Sequence, residues 1–104
     1  MILYLVRHAW AEDRDAERWP DDRHRPLTSK GIKRFGRVAK RLAKRGIEPK
    51  CVATSPLVRC VQTARILCER FELDEFAAID ELAPGANLQS VITAARRLES
   101  DEVA

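Results

Sequence analysis

The chain has 104 residues, room for one domain with a real but modest core. Hydrophobic residues make up 45% and charged residues 34%, which argues against an intrinsically disordered chain, and no apolar run nears the ~20 residues of a membrane span. The net charge of +3 is uneven: residues 30–45 hold eight of the nineteen basic residues and no acid, leaving eleven basic against sixteen acidic residues elsewhere.

Ile2 to Val6 is an apolar run of strand length, expected to be covered on both faces as in a parallel sheet. It lacks a basic leader and a small-residue cleavage site, so it reads as a strand and not a signal peptide. Residues 9–27 form a long polar loop, a length usually kept for lids and binding loops. Thr28 or Ser29 can cap a helix whose apolar positions are Ile32, Phe35, Val38, Ala39 and Leu42, with Gly46 as its stop. Lys50 to Thr54 holds a second strand. Ser55-Pro56 predicts a helix start, with Ser55 as cap and Pro56 at the first helical position. Leu57, Cys60, Val61, Ala64, Leu67, Cys68 and Phe71 mark its apolar face. Phe76 to Ile79 is a third strand, Pro84-Gly85 a turn, and Asn87 the cap of a helix bearing Leu88, Val91, Ile92, Ala95 and Leu98. The alternation predicts an α/β layered fold with a mostly parallel sheet, in one domain over residues 1–104.

Sites in such sheets lie beyond the C-terminal strand ends. Arg7-His8 occupies that edge after the first strand. A neutral imidazole is a competent nucleophile near pH 7, and a neighbouring guanidinium can hold phosphoryl oxygens. Arg59 falls in the first turn of a helix that leaves the second strand, where free N–H groups favour an anion.

Leu5-Val6-Arg7-His8-Ala9 resembles the signature of the histidine phosphatase superfamily, the phosphoglycerate-mutase-like proteins. Ser55-Pro56-Leu57-Val58-Arg59-Cys60-Val61-Gln62-Thr63-Ala64 resembles its second signature. Arg25-Pro26-Leu27-Thr28 with Gly31, and Glu81-Leu82-Ala83-Pro84, resemble the small bacterial phosphohistidine phosphatases. The resemblance implies a three-layer sandwich around a mostly parallel sheet and a phosphatase acting through phosphohistidine on His8. It implies a phosphate pocket of Arg7, Arg25 and Arg59. Glu81 is the candidate general acid and Asp80 the next. The implied substrate is protein phosphohistidine, with a histidine phosphotransfer domain as partner; a small phosphorylated metabolite, or a phosphorylated partner bound without turnover, is the alternative. The family's second active-site histidine, in a Gly-His-x-Pro-like segment, has no counterpart before Ala104. The domain is therefore expected to be C-terminally incomplete, with Asp101–Ala104 approaching a further strand and a homodimer as one way to cover the gap.

Other readings fit less well. Cys51 and Cys60 stand at the wrong spacing from an arginine for a cysteine phosphatase. Three cysteines without a C-x-x-C fit a reduced, cytoplasmic protein. Asp13, Asp15, Asp21, Asp22 and His24 share a loop without the spacing of a metal site, so neither metal nor cofactor is expected. The basic stretch 30–45 reads as the wet face of a helix, with no stacking platform for nucleic acid evident, so nucleic acid is not the expected partner.

Overall fold

The structure is a computed structural model of the whole chain. It describes the backbone of residues 3–82 and 87–103, and the side chains of these residues apart from 81 and 99–103. Three helices carry the fold: α1 (Ser29–Lys44), α2 (Val58–Arg70) and α3 (Leu88–Val103). A two-stranded parallel sheet joins β1 (Ala53–Thr54) to β2 (Ala77–Ala78), pairing Ala53 with Ala77 and Thr54 with Ala78. The β1–α2–β2 run is a βαβ unit, the connection that parallel strands need. Short 3-10 turns occupy Asp22–His24 and Asp80–Leu82.

α1 begins where Thr28 Oγ1 accepts the Gly31 N–H at 2.8 Å, and it ends at Gly46, whose φ of +83° suits a residue without a Cβ. Phe35 and Ala39 bury its inner face with Leu67 of α2, Ala9 and Leu27. Ile32, expected on that face, is 40% exposed. α3 starts as expected, with Asn87 Oδ1 accepting the Ser90 N–H at 2.8 Å. It runs on through Val103, so residues 101–103 are helical rather than an approach to a strand. The Pro84-Gly85 turn lies outside the described residues.

Two expectations are corrected. Leu3 to Val6 forms no strand among the described residues, and its side chains are exposed, Leu5 by 77%. A strand exists only as part of a ladder, and no described segment pairs with this one. Among the described residues the sheet is accordingly two-stranded, not a wide central layer. α2 starts at Val58, two residues later than Ser55-Pro56 suggests. Its cap residue is Leu57, which has no side-chain bond, and Ser55 is buried with its hydroxyl unpartnered. The dipeptide supplies a tight exit from β1 instead of a cap.

Candidate active site

The residues of the three motifs meet because α2 ties them together. Thr63 Oγ1 accepts the Ala9 N–H at 3.1 Å and donates to the Arg59 carbonyl at 2.8 Å. Gln62 Oε1 accepts the Leu27 N–H at 2.7 Å. One turn of α2 thus fixes the chain just after His8 and the chain just after Arg25. Gly31 adds a close crossing. A Cβ there would collide with the Trp10 carbonyl, the same carbonyl that accepts the Thr28 N–H at 3.0 Å. The Ala11–Leu27 bridge and the Glu12 N–H to Pro26 carbonyl bond at 2.9 Å close the base of the long loop.

Arg7, His8 and Arg25 line an open cleft of about 500 Å³ with Trp10, Glu12, Asp13 and Arg14. The His8 ring is half-buried, and its Nδ1 lies 2.7 Å from the Ala9 carbonyl oxygen. A carbonyl only accepts, so Nδ1 carries the proton in the neutral ring and Nε2 keeps its lone pair. Arg7 is exposed at the mouth.

Arg59 is placed differently. It is 6% exposed and is not among the residues lining the cleft. Its Nη1 donates to the Asp22 carbonyl at 2.9 Å and its Nη2 lies 3.1 Å from Asp22 Oδ2. Its Nε is buried without a partner. Arg25 reaches the same carboxylate, with Nε 2.8 Å from Oδ1, while its Nη1 donates to the Glu12 carbonyl at 2.7 Å. Asp22 therefore bridges two of the expected phosphate ligands. The hydrogen bond from Arg25 holds its carboxyl below the ordinary value of 3.8. Next door, the Arg23 fork lowers Asp21 to about 2.

The structure separates the remaining expectations. Asp80 lies exposed in the second 3-10 turn. Glu81 shares that turn, but its side chain lies outside the described residues. His24 is exposed and does not line the cleft. Burial pushes the Cys68 thiol up, as expected of packing rather than a nucleophile. No His/Cys/Asp/Glu group that could hold a metal, and no helix long and apolar enough to cross a membrane, occurs among the described residues. Trp10, which the sequence reading did not connect with the basic stretch, is half-exposed and stacked by Arg34 at 4.0 Å, with Lys30 at 5.8 Å. Asp22, Gln62, Thr63 and Gly31 were missed as site-building residues. The three-residue step from Asp22 to Arg25 is the local signal for Asp22, while Gln62, Thr63 and Gly31 stood in the motifs without a role attached.

A histidine that keeps one ring nitrogen free, in one cleft with two arginines, is an arrangement that could bind and transfer a phosphoryl group. Residues 3–100 match the histidine phosphatase superfamily (branch 1), and the chain belongs to that family. It is 39% identical over 101 residues to an uncharacterized protein of Picosynechococcus sp. (strain ATCC 27264 / PCC 7002 / PR-6), covering 96% of this chain and 59% of that one. Its fold is similar to the protein histidine phosphatase SixA complexed with tungstate, with a TM-score of 0.76 and 26% identity over 93% of this chain and 60% of that chain. A SixA protein from Agrobacterium tumefaciens matches with a TM-score of 0.71 and 25% identity over 86% of this chain and 56% of that chain. The chain therefore spans less than two thirds of the length of these relatives.

Proposed function

We propose that the chain belongs to a hydrolase that removes phosphoryl groups from protein phosphohistidine through a phosphohistidine intermediate on His8. The observation that carries this reading is the Nδ1 bond to the Ala9 carbonyl in a cleft shared with Arg7 and Arg25, which leaves Nε2 free as nucleophile. In the first step the Nε2 lone pair forms a bond to phosphorus. The phosphorus–nitrogen bond of the substrate breaks, and its electron pair leaves with the substrate imidazole. In the second step water attacks phosphorus, releasing inorganic phosphate and restoring His8. Arg7, Arg25 and Arg59 neutralise charge on the transferring oxygens. An imidazole leaving group needs less protonation than a sugar alkoxide, so this chemistry depends little on a strong general acid at Glu81. The partner is a phosphorylated protein, with a histidine phosphotransfer domain as the first candidate, in the cytoplasm.

The test is trapping. During turnover of a phosphohistidine protein, acid-labile, base-stable phosphate should accumulate on His8, and His8→Ala should abolish it. Phosphate trapped on a cysteine, or labelling that survives His8→Ala, would refute the mechanism.

A further inference from the structure

We propose that Asp22 is a positioning residue, whose carboxylate holds the Arg25 and Arg59 guanidinium groups together so that one phosphoryl group can meet both. The inference rests on the reading of this cleft as a phosphoryl site. It goes beyond it in naming a residue that need not touch the substrate. Two guanidinium groups this close repel each other, and the repulsion grows where water is thin. The Asp22 oxygens stand between them, 2.8 Å from Arg25 Nε and 3.1 Å from Arg59 Nη2. The main chain joins the grip, since the Asp22 carbonyl also accepts from Arg59 Nη1 at 2.9 Å.

The donors that remain favour positioning over plugging. Arg25 is held at Nε and at Nη1 and still lines the cleft with Arg7 and His8. Arg59 is held at Nη1 and Nη2, and the nitrogen left over, Nε, is buried with no partner. A buried guanidinium nitrogen without an acceptor carries a desolvation cost that an arriving oxyanion can relieve. Asp22 itself is half-exposed, so its charge is screened toward water while its geometry is kept. A plugging carboxylate would use the donors facing the cleft. Asp22 is not among the residues lining the cleft, whereas Arg25 is.

The experiment measures binding of inorganic phosphate to the 104-residue chain by titration calorimetry, with thermal unfolding recorded in parallel. The wild type, Asp22→Asn, Asp22→Glu and Arg59→Ala are compared. Asp22→Asn should weaken phosphate about tenfold, the effect of one lost charge-assisted contact. Asp22→Glu should recover most of that loss even if both variants lower the melting temperature equally, an outcome that a purely structural role does not produce. Unchanged or tighter binding by Asp22→Asn would overturn the proposal, the latter by making Asp22 a competing anion. If the wild type binds no phosphate, or if Arg59→Ala binds it as well as wild type, the phosphoryl-site reading fails first and takes this proposal with it.

Discussion

Helix α1 displays Lys33, Arg37, Lys40 and Arg41 to water, whereas Arg59 on α2 is 6% exposed and the Arg25 side chain 11%. The two helices pack on each other and both are rich in cations, yet their charges answer to different physics. An exposed lysine keeps its hydration and is screened within about 10 Å at ordinary salt. It needs no partner and constrains nothing. A buried guanidinium calls for acceptors, and here Asp22 and two main-chain carbonyls supply several, leaving Arg59 Nε without one. The count of charges drew attention to α1. The number of acceptors each charge demands directs it to Arg25 and Arg59.

The sharpest way to break this contrast is to delete charges from each region. Arg59→Ala should lower turnover of a phosphohistidine substrate by about 10²–10³-fold, the cost of one transition-state donor. Lys33→Ala with Arg37→Ala should leave turnover of a small phosphoramidate within about twofold and stability within about 0.5 kcal/mol. Comparable losses from both would erase the distinction. Steady-state kinetics and urea unfolding read it.

The glycines of α1 sharpen the comparison inside one helix. A Cβ at Gly31 meets the Trp10 carbonyl, whereas a Cβ at Gly36 meets nothing within 4 Å. Gly31→Ala should cost about 1–3 kcal/mol, because main chain must move. Gly36→Ala should gain about 0.5–1 kcal/mol from helix propensity. Denaturant midpoints at constant slope decide the signs.

Acidity probes the Asp21 and Asp22 contacts. Both carboxyls titrate below the unfolded value of 3.8 when folded, Asp22 chiefly through Arg25 and Asp21, to about 2, chiefly through Arg23. A depressed carboxyl stabilises fully above its unfolded value and loses that contribution as the pH falls through its folded value. The contribution of these two residues should hold from neutral pH down to 3.8 and decline only below it. Carboxyl chemical shifts followed by NMR, with Asp21→Asn as control, would show it. A midpoint above 3.8 for Asp22 would mean that the arginine contacts are absent in solution.

The smallest effects should come from Cys60 and the outer face of α1. Cys60→Ser and added chelator should change turnover by less than about twofold, since the proposed mechanism uses neither thiol nor metal. Nucleic acid binding to α1 should be weak and should fade between about 50 and 200 mM salt. The Trp10–Arg34 stack gives this prediction an edge that a bare charge run lacks. Binding that survives physiological salt would show Trp10 acting as a base-stacking platform.

Legibility followed the range of the interaction. The Thr28 and Asn87 caps and the Gly46 stop were readable because each is settled within three residues or by one φ angle. Ser55-Pro56 carries the same local signal, yet Ser55 is buried and the helix begins later, because tertiary packing overrode the cap. Leu3–Val6 shows the same limit from the other side. Its composition favours a strand, but composition supplies no neighbour to complete a ladder.

The sequence by itself determined the family, through an Arg-His pair after an apolar run, Arg25 ahead of a helix cap, and Arg59 in the first turn of α2. It also determined the helical periods, which depend on neighbours three and four residues apart. Only the tertiary structure decided that Thr63 reaches Ala9 across 54 positions, that Gln62 reaches Leu27 across 35, and that Asp22 rather than solvent meets Arg59 across 37. Those pairings are set by how α2 lies against the long loop. A hydrogen bond between distant residues leaves no spacing in the chain to read.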